Sequence, residues 1–118
     1  MTDERPWAGR RLHFIGIGGA GMSGLALVGR ALGAEVSGSD RAESPTLIRL
    51  REAGCEAVVG HDAANVPPDA EVVYSTAVPQ DNPERAVARG RAQAELHRAD
   101  LLAEITALRR CIAVTGTR

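Results

Sequence analysis

The chain has 118 residues, of which 44% are hydrophobic and 25% charged, with a formal net charge of −1. That length suits one domain with a core of its own, and the near-neutral charge leaves no electrostatic footprint for DNA or RNA. Trp7, Phe14 and Tyr74 are the only aromatic residues, too few for the stacking platforms of single-strand binders.

Cys55 and Cys111 stand far apart, outside any metal-ligating cluster. They read as small buried hydrophobes in a reducing compartment, and no metal site is expected. The acidic start Thr2-Asp3-Glu4 is the opposite of a secretory n-region. No apolar run approaches the roughly 18–20 residues of a membrane span, so a cytoplasmic location without a membrane partner is expected.

In chain order, Leu12 to Ile17 is a mostly apolar run between Arg10-Arg11 and a glycine cluster. It reads as a strand buried on both faces. Met22, Leu25, Ala26, Val28 and Leu32 recur mostly at three- and four-residue steps, which predicts a helix from about Ala20 to Leu32, ended by Gly33. Glu35 to Gly38 is a short second strand. Ser44 and Pro45 supply an N-cap and a first-turn proline for a helix that Gly54 closes. Ala57 to Val59 is a third strand, leading into Gly60-His61, and Glu71 to Tyr74 a fourth.

Asn82-Pro83-Glu84 opens another helix to about Arg89, Ala94 to Arg98 reads as a fifth strand, and Asp100 to Leu108 as a helix. Cys111 to Val114 is a last apolar strand. Strands alternating with helices at this spacing predict an α/β fold. The expected form is a Rossmann-like three-layer domain with a mostly parallel five-stranded sheet and right-handed crossovers.

Gly16-Ile17-Gly18-Gly19-Ala20-Gly21 satisfies G-x-G-x-x-G in the required place, after the first strand and opening the first helix. The first glycine permits the tight turn, the second lets backbone N–H groups approach a diphosphate, and the third allows close packing. The helix end then offers unpaired N–H groups and a positive dipole to an anion. Asp40 lies near the distance at which dinucleotide folds place a ribose-binding acid, although an Asx-turn in Ser39-Asp40-Arg41 would also account for it. This pattern specifies a nucleotide diphosphate without specifying the nucleotide, so an NAD(P)-binding domain of an oxidoreductase stands as an alternative.

Gly16 to Gly24 with His13-Phe14 before them, then Val36 to Asp40, Gly60-His61-Asp62, Ser75 to Pro79, Asp81 to Glu84 and Arg98 to Glu104, resemble in joint order the N-terminal domain of the Mur ligases of peptidoglycan synthesis. The resemblance implies that the domain holds the UDP part of UDP-N-acetylmuramate for ATP-dependent amide ligation of L-alanine. It implies that Gly18, Gly19, Ala20, Gly21, Met22 and Ser23 line the diphosphate. Asp40 and His61 would face the uridine, and Ser75, Thr76 and Ala77 would border the pocket. His61 alone also reads as an ordinary loop histidine, and His13 and His97 receive no functional role.

Ala113 to Thr117 resemble the strand and opening of the family's ATP-binding loop, with Gly116 and Thr117 as its start. A working loop needs G-x-x-x-x-G-K-[ST], and the sequence contains no lysine. Residues 1–110 are therefore expected to form the UDP-sugar domain and 111–118 to begin a central ATPase domain. ATP, Mg²⁺ and catalysis would then depend on central and C-terminal parts of the same enzyme. The strand Cys111 to Val114 is expected to lack its native sheet partners.

Overall fold

Five short segments of the sequence supply the strands of a single sheet in the computed structural model, which describes the backbone of residues 5–116 and the side chains of residues 5–110. The elements are β1 (Arg11–Ile15), α1 (Ala20–Ala31), β2 (Glu35–Asp40), α2 (Pro45–Glu52), β3 (Glu56–Val59), a 3₁₀ turn (Ala63–Asn65), β4 (Glu71–Tyr74), α3 (Pro83–Gly90), β5 (Glu95–His97) and α4 (Arg98–Gly116). The five strands lie in the order β3-β2-β1-β4-β5 and every pair is parallel. The strand order reverses between β1 and β4, and in such sheets the ligand crevice lies beyond the carboxyl ends of the strands at that point.

Alternation along each strand sorts side chains onto two faces. Leu12, Phe14, Val36 and Val73 belong to the larger core, with Met22, Leu25 and Ala26 of α1, Leu47 and Leu50 of α2, and Leu101 and Ile105 of α4. Ile15 and Val72 pack on the other face with Val66 and Ala88. The result is the expected three-layer α/β domain. Cys55 is buried in the larger core, and burial pushes its thiol pKa up, as expected of an inert packing cysteine. The side chain of Cys111 lies outside the described residues.

Helix boundaries follow local chemistry. Gly33 takes φ +106°, the left-handed value that lets the chain leave α1. Ser44 caps α2 by accepting from the Leu47 N–H at 3.3 Å, with Pro45 in the first turn.

Several expectations need correction. β1 stops at Ile15 because Gly16 adopts φ +77° and turns the chain. β2 continues to Asp40, so this acid ends the strand instead of following it. The largest difference is at the carboxyl end, where Cys111 to Val114 is helical, inside α4. Leu101 to Val114 contains neither glycine nor proline, and extending an existing helix costs little once its first turn has formed. Among the described residues this segment is paired with no strand of the sheet, so the β-branched residues in it gain no ladder. Gly116 ends the helix, and Thr117 lies outside the described residues.

Two glycines show how tightly the layers close. A Cβ on Gly38 would stand 2.6 Å from the Phe14 carbonyl oxygen and from Ile17 Cδ1, whereas one on Gly29 would meet Leu12 Cδ1 at 3.2 Å. Backbone cannot yield as a leucine methyl can. Gly38→Ala is expected to destabilise the domain by about 2 kcal/mol or more, and Gly29→Ala by under about 1 kcal/mol. Urea unfolding of both variants checks this order.

Candidate functional site

The glycine loop is held from below by the end of β2. Gly16 and Ile17 donate their N–H groups to the Ser39 carbonyl at 2.8 and 2.9 Å. Gly18 N–H donates to Asp40 Oδ2 at 2.8 Å, and the other carboxylate oxygen accepts from Arg41 N–H at 2.7 Å. A Cβ on Gly18 would sit 2.7 Å from Asp40 Oδ2, so this contact requires glycine.

Gly19 is the N-cap of α1 and brings no side-chain acceptor to the first turn. Ser44, Asp62 and Asn82 do cap the helices that follow them. The first turn of α1 contains no acidic residue; the Met22 and Ser23 N–H groups donate to the Gly19 carbonyl, which leaves those of Ala20 and Gly21 and the positive dipole end to an external anion.

This helix end opens onto a cleft of about 480 Å³, lined among others by Gly19, Met22, Asp40, His61, Ser75 and Ala77. Its size suits a small-molecule ligand, and its position beyond β1, β2 and β4 is where parallel sheets bind ligands. A second cavity of about 370 Å³ lies at the opposite, amino ends of the strands, beside Arg11 and Glu35. There Arg11 is already paired with Glu35 at 2.8 Å and Asp69 at 3.0 Å, so its charge is satisfied locally.

Behind the cleft lies a buried polar cluster. Glu84, in the first turn of α3, is fully buried. Its Oε1 accepts from His13 Nε2 at 2.7 Å and Ser39 Oγ at 2.8 Å. Its Oε2 accepts from Asp62 N–H at 3.0 Å and Asn65 Nδ2 at 2.9 Å. Burial pushes this carboxyl pKa up, but the bonds from His13, Asn65, Ser39 and the Asp62 backbone outweigh it and hold the value at about 2. Ser37 Oγ lies 2.7 Å from His13 Nδ1 and Ser39 Oγ 2.8 Å from His61 Nδ1, extending the network on both sides.

The family model described as "Mur ligase family, catalytic domain" matches residues 11–110. The chain belongs to the Mur ligase family. It is 55% identical over 109 residues to the UDP-N-acetylmuramate–L-alanine ligase of Symbiobacterium thermophilum, covering 92% of this chain and 22% of that protein. It is 52% identical over 106 residues to the same-named ligase of Gluconacetobacter diazotrophicus, covering 90% of this chain and 22% of that one.

Among solved structures, the UDP-N-acetylmuramate–alanine ligase of Thermotoga maritima superimposes with a TM-score of 0.75 at 35% identity, over 85% of this chain and 23% of that one. A murein peptide ligase of Psychrobacter arcticus gives 0.75 at 30% identity, over 81% and 20%. The chain thus spans less than a quarter of the length of these Mur ligases.

The structure brings together at the cleft Gly19, Met22, Asp40, His61, Ser75 and Ala77 of the residues that the family resemblance suggested. Gly18 lies just behind, bonded to Asp40. Ala20, Gly21 and Ser23 belong to the first turns of α1 without lining the cleft, and Met22 is mostly committed to the core. Thr76 also stands aside, its Oγ1 3.0 Å from His97 Nε2. Gly116 lies at the end of α4, away from any loop geometry. Among the described residues no group of three or more His, Cys, Asp or Glu side chains is arranged to hold a metal, and no helix is long and apolar enough to cross a membrane.

Sequence reasoning missed two features of this site. Arg98 at the start of α4 places its guanidinium beside Gly21, with Nη1 3.1 Å from where a Cβ would be, and it forms no hydrogen bond or ion pair among the described residues. Glu84 and Ser39 form the support beneath His61. The Asn82-Pro83-Glu84 motif marks only a helix start, since an acidic residue in a first helical turn is usually there for the dipole.

The Glu84 network makes stability depend on pH. The folded-state pKa lies below the unfolded one, so the carboxylate stabilises the fold above about pH 4.5 and loses that contribution as pH falls toward about 2. The difference is on the order of 3 kcal/mol. Glu84→Gln is expected to be less stable at neutral pH and to lose most of the acid dependence between pH 5 and 2. Urea unfolding across that range checks it, and an unchanged slope in the variant would contradict the assignment.

Proposed function

We propose that this domain holds the UDP portion of UDP-N-acetylmuramate in a cytoplasmic Mur ligase that joins L-alanine to the muramyl carboxylate. The observation that carries the proposal is the uncapped amino end of α1 opening onto the same cleft as Asp40 and His61. A diphosphate at that end would accept from the first-turn N–H groups and feel the positive end of the helix dipole. Arg98, beside Gly21, adds a guanidinium within reach of the same charge. Asp40 keeps an unused lone pair on each oxygen after accepting from Gly18 and Arg41, so it can still accept from ribose hydroxyls. Ser75 and Ala77, at the end of β4, would close the cleft toward the sugar.

The chemical step belongs elsewhere in the enzyme. In such a ligase, ATP activates the muramyl carboxylate as an acyl phosphate and the amine of L-alanine displaces phosphate from it. That step draws on lysine and Mg²⁺ to stabilise phosphoryl charge. These 118 residues contain no lysine and no G-x-x-x-x-G-K-[ST] motif, and Gly116 lies in a helix. The residues present do not fit ATP, and the chain by itself is assigned binding without catalysis. Its relatives are longer, and this chain covers 22% of the Symbiobacterium thermophilum ligase.

Calorimetric titration with UDP, UDP-N-acetylmuramate and NADH tests the proposal. Both UDP compounds are expected to saturate the domain and NADH to give no heat at the same concentrations. Arg98→Ala is expected to weaken UDP by about threefold to tenfold, with less effect at high salt. Tighter binding of NADH than of UDP would transfer the site to a dinucleotide and sink the UDP-sugar assignment.

A further inference from the structure

Glu84 does not line the cleft, yet it is the end of a hydrogen-bond chain that reaches it. Glu84 Oε1 accepts from Ser39 Oγ at 2.8 Å, and Ser39 Oγ lies 2.8 Å from His61 Nδ1. A serine hydroxyl has one hydrogen to give. With that hydrogen on the carboxylate, Ser39 Oγ can only accept from the histidine, so Nδ1 carries the proton. A neutral imidazole has one N–H, which leaves Nε2 as an acceptor.

The carboxylate is committed to accepting by its other bonds, from His13, Asn65 and the Asp62 backbone. The Asp62 bond also anchors the main chain directly after His61. Before it, Gly60 N–H donates to the Asp40 carbonyl at 2.7 Å with φ +97°. One buried group therefore fixes both the ring and the backbone of a residue that is itself partly exposed to the cleft.

We propose that Glu84 and Ser39 are positioning residues that hold His61 as its Nδ1–H tautomer, so that Nε2 accepts a hydrogen bond from an O–H or N–H donor of the bound nucleoside. This deepens the UDP assignment and rests on it. An acceptor at this place matches the ribose hydroxyls and the uracil N3–H, whereas the unprotonated ring nitrogen of cytosine offers nothing to it.

Two measurements on the 118-residue chain separate this inference from the UDP assignment. The first needs no ligand: imidazole ¹⁵N NMR at about pH 8, where an ordinary histidine is neutral. His61 is expected to show a protonated Nδ1 and a bare Nε2 in the unaltered protein, and to lose that preference in Ser39→Ala, which leaves the other bonds of Glu84 intact. A dominant Nε2–H form in the unaltered protein overturns the inference, whatever UDP does.

The second compares the binding of UDP, CDP and inorganic pyrophosphate. Ser39→Ala is expected to weaken UDP by about threefold to tenfold and leave pyrophosphate unchanged. If His61 meets the base, CDP binds the unaltered protein more weakly than UDP and the variant narrows that gap; if it meets the ribose, UDP and CDP weaken together. Equal loss for pyrophosphate, or no loss for UDP, refutes the positioning role. Failure of UDP to bind the unaltered protein would count against the proposed function while leaving the tautomer result to stand by itself.

Discussion

The buried carboxylate of Glu84 ties the two halves of the sheet together. Its donors come from β1, β2 and the segment after β3, while its own backbone belongs to α3 in the second half of the chain. A desolvated charge is tolerated only where hydrogen bonds replace the lost water, and here each oxygen has two donors. Removing the carboxylate would leave the buried His13 and Ser39 each short of a partner, which usually costs more than the bonds themselves contributed. The polar cluster also sets register, because Ser37 and Ser39 must share a face with His13 for any of it to form.

β2 is where this constraint becomes a binding site. Its last two residues point to opposite faces, as successive residues of a strand do. Ser39 carries the chain from Glu84 to His61, and Asp40 reaches the Gly18 N–H and pins the glycine loop. The Ser39 carbonyl accepts from Gly16 and Ile17 as well. The shape of the glycine loop and the orientation of the cleft histidine thus derive from two adjacent residues in a rigid parallel strand, which is the kind of support a preorganised site requires.

Much of this was legible in the sequence where local physics decides the outcome. The strand–glycine loop–helix unit was readable because only glycine allows the turn at Gly16 and the close approach of Asp40 at Gly18. The parallel sheet followed from alternating apolar runs. What local patterns hide are facts of tertiary origin. His13 reads as one more strand residue until Glu84 arrives from α3. Arg98 reads as part of a closing helix until α4 folds back against Gly21. The segment Cys111 to Val114 reads as a strand from its β-branched residues, but strand propensity depends on having an edge to join, and the continuing helix prevails. The family resemblance indicated the cleft residues Asp40, His61, Ser75 and Ala77 as a set, which spacing alone does not.

On the proposed function, a UDP-sugar diphosphate sits at the amino end of α1, supported through Ser39 and Asp40. Amide chemical-shift mapping during titration with UDP-N-acetylmuramate tests it most directly. Saturable shifts centred on Gly18 to Ser23 are expected, with smaller ones at Asp40 and His61. Shifts centred instead on Arg11, Glu35 and Glu56 at the opposite ends of the strands would contradict it.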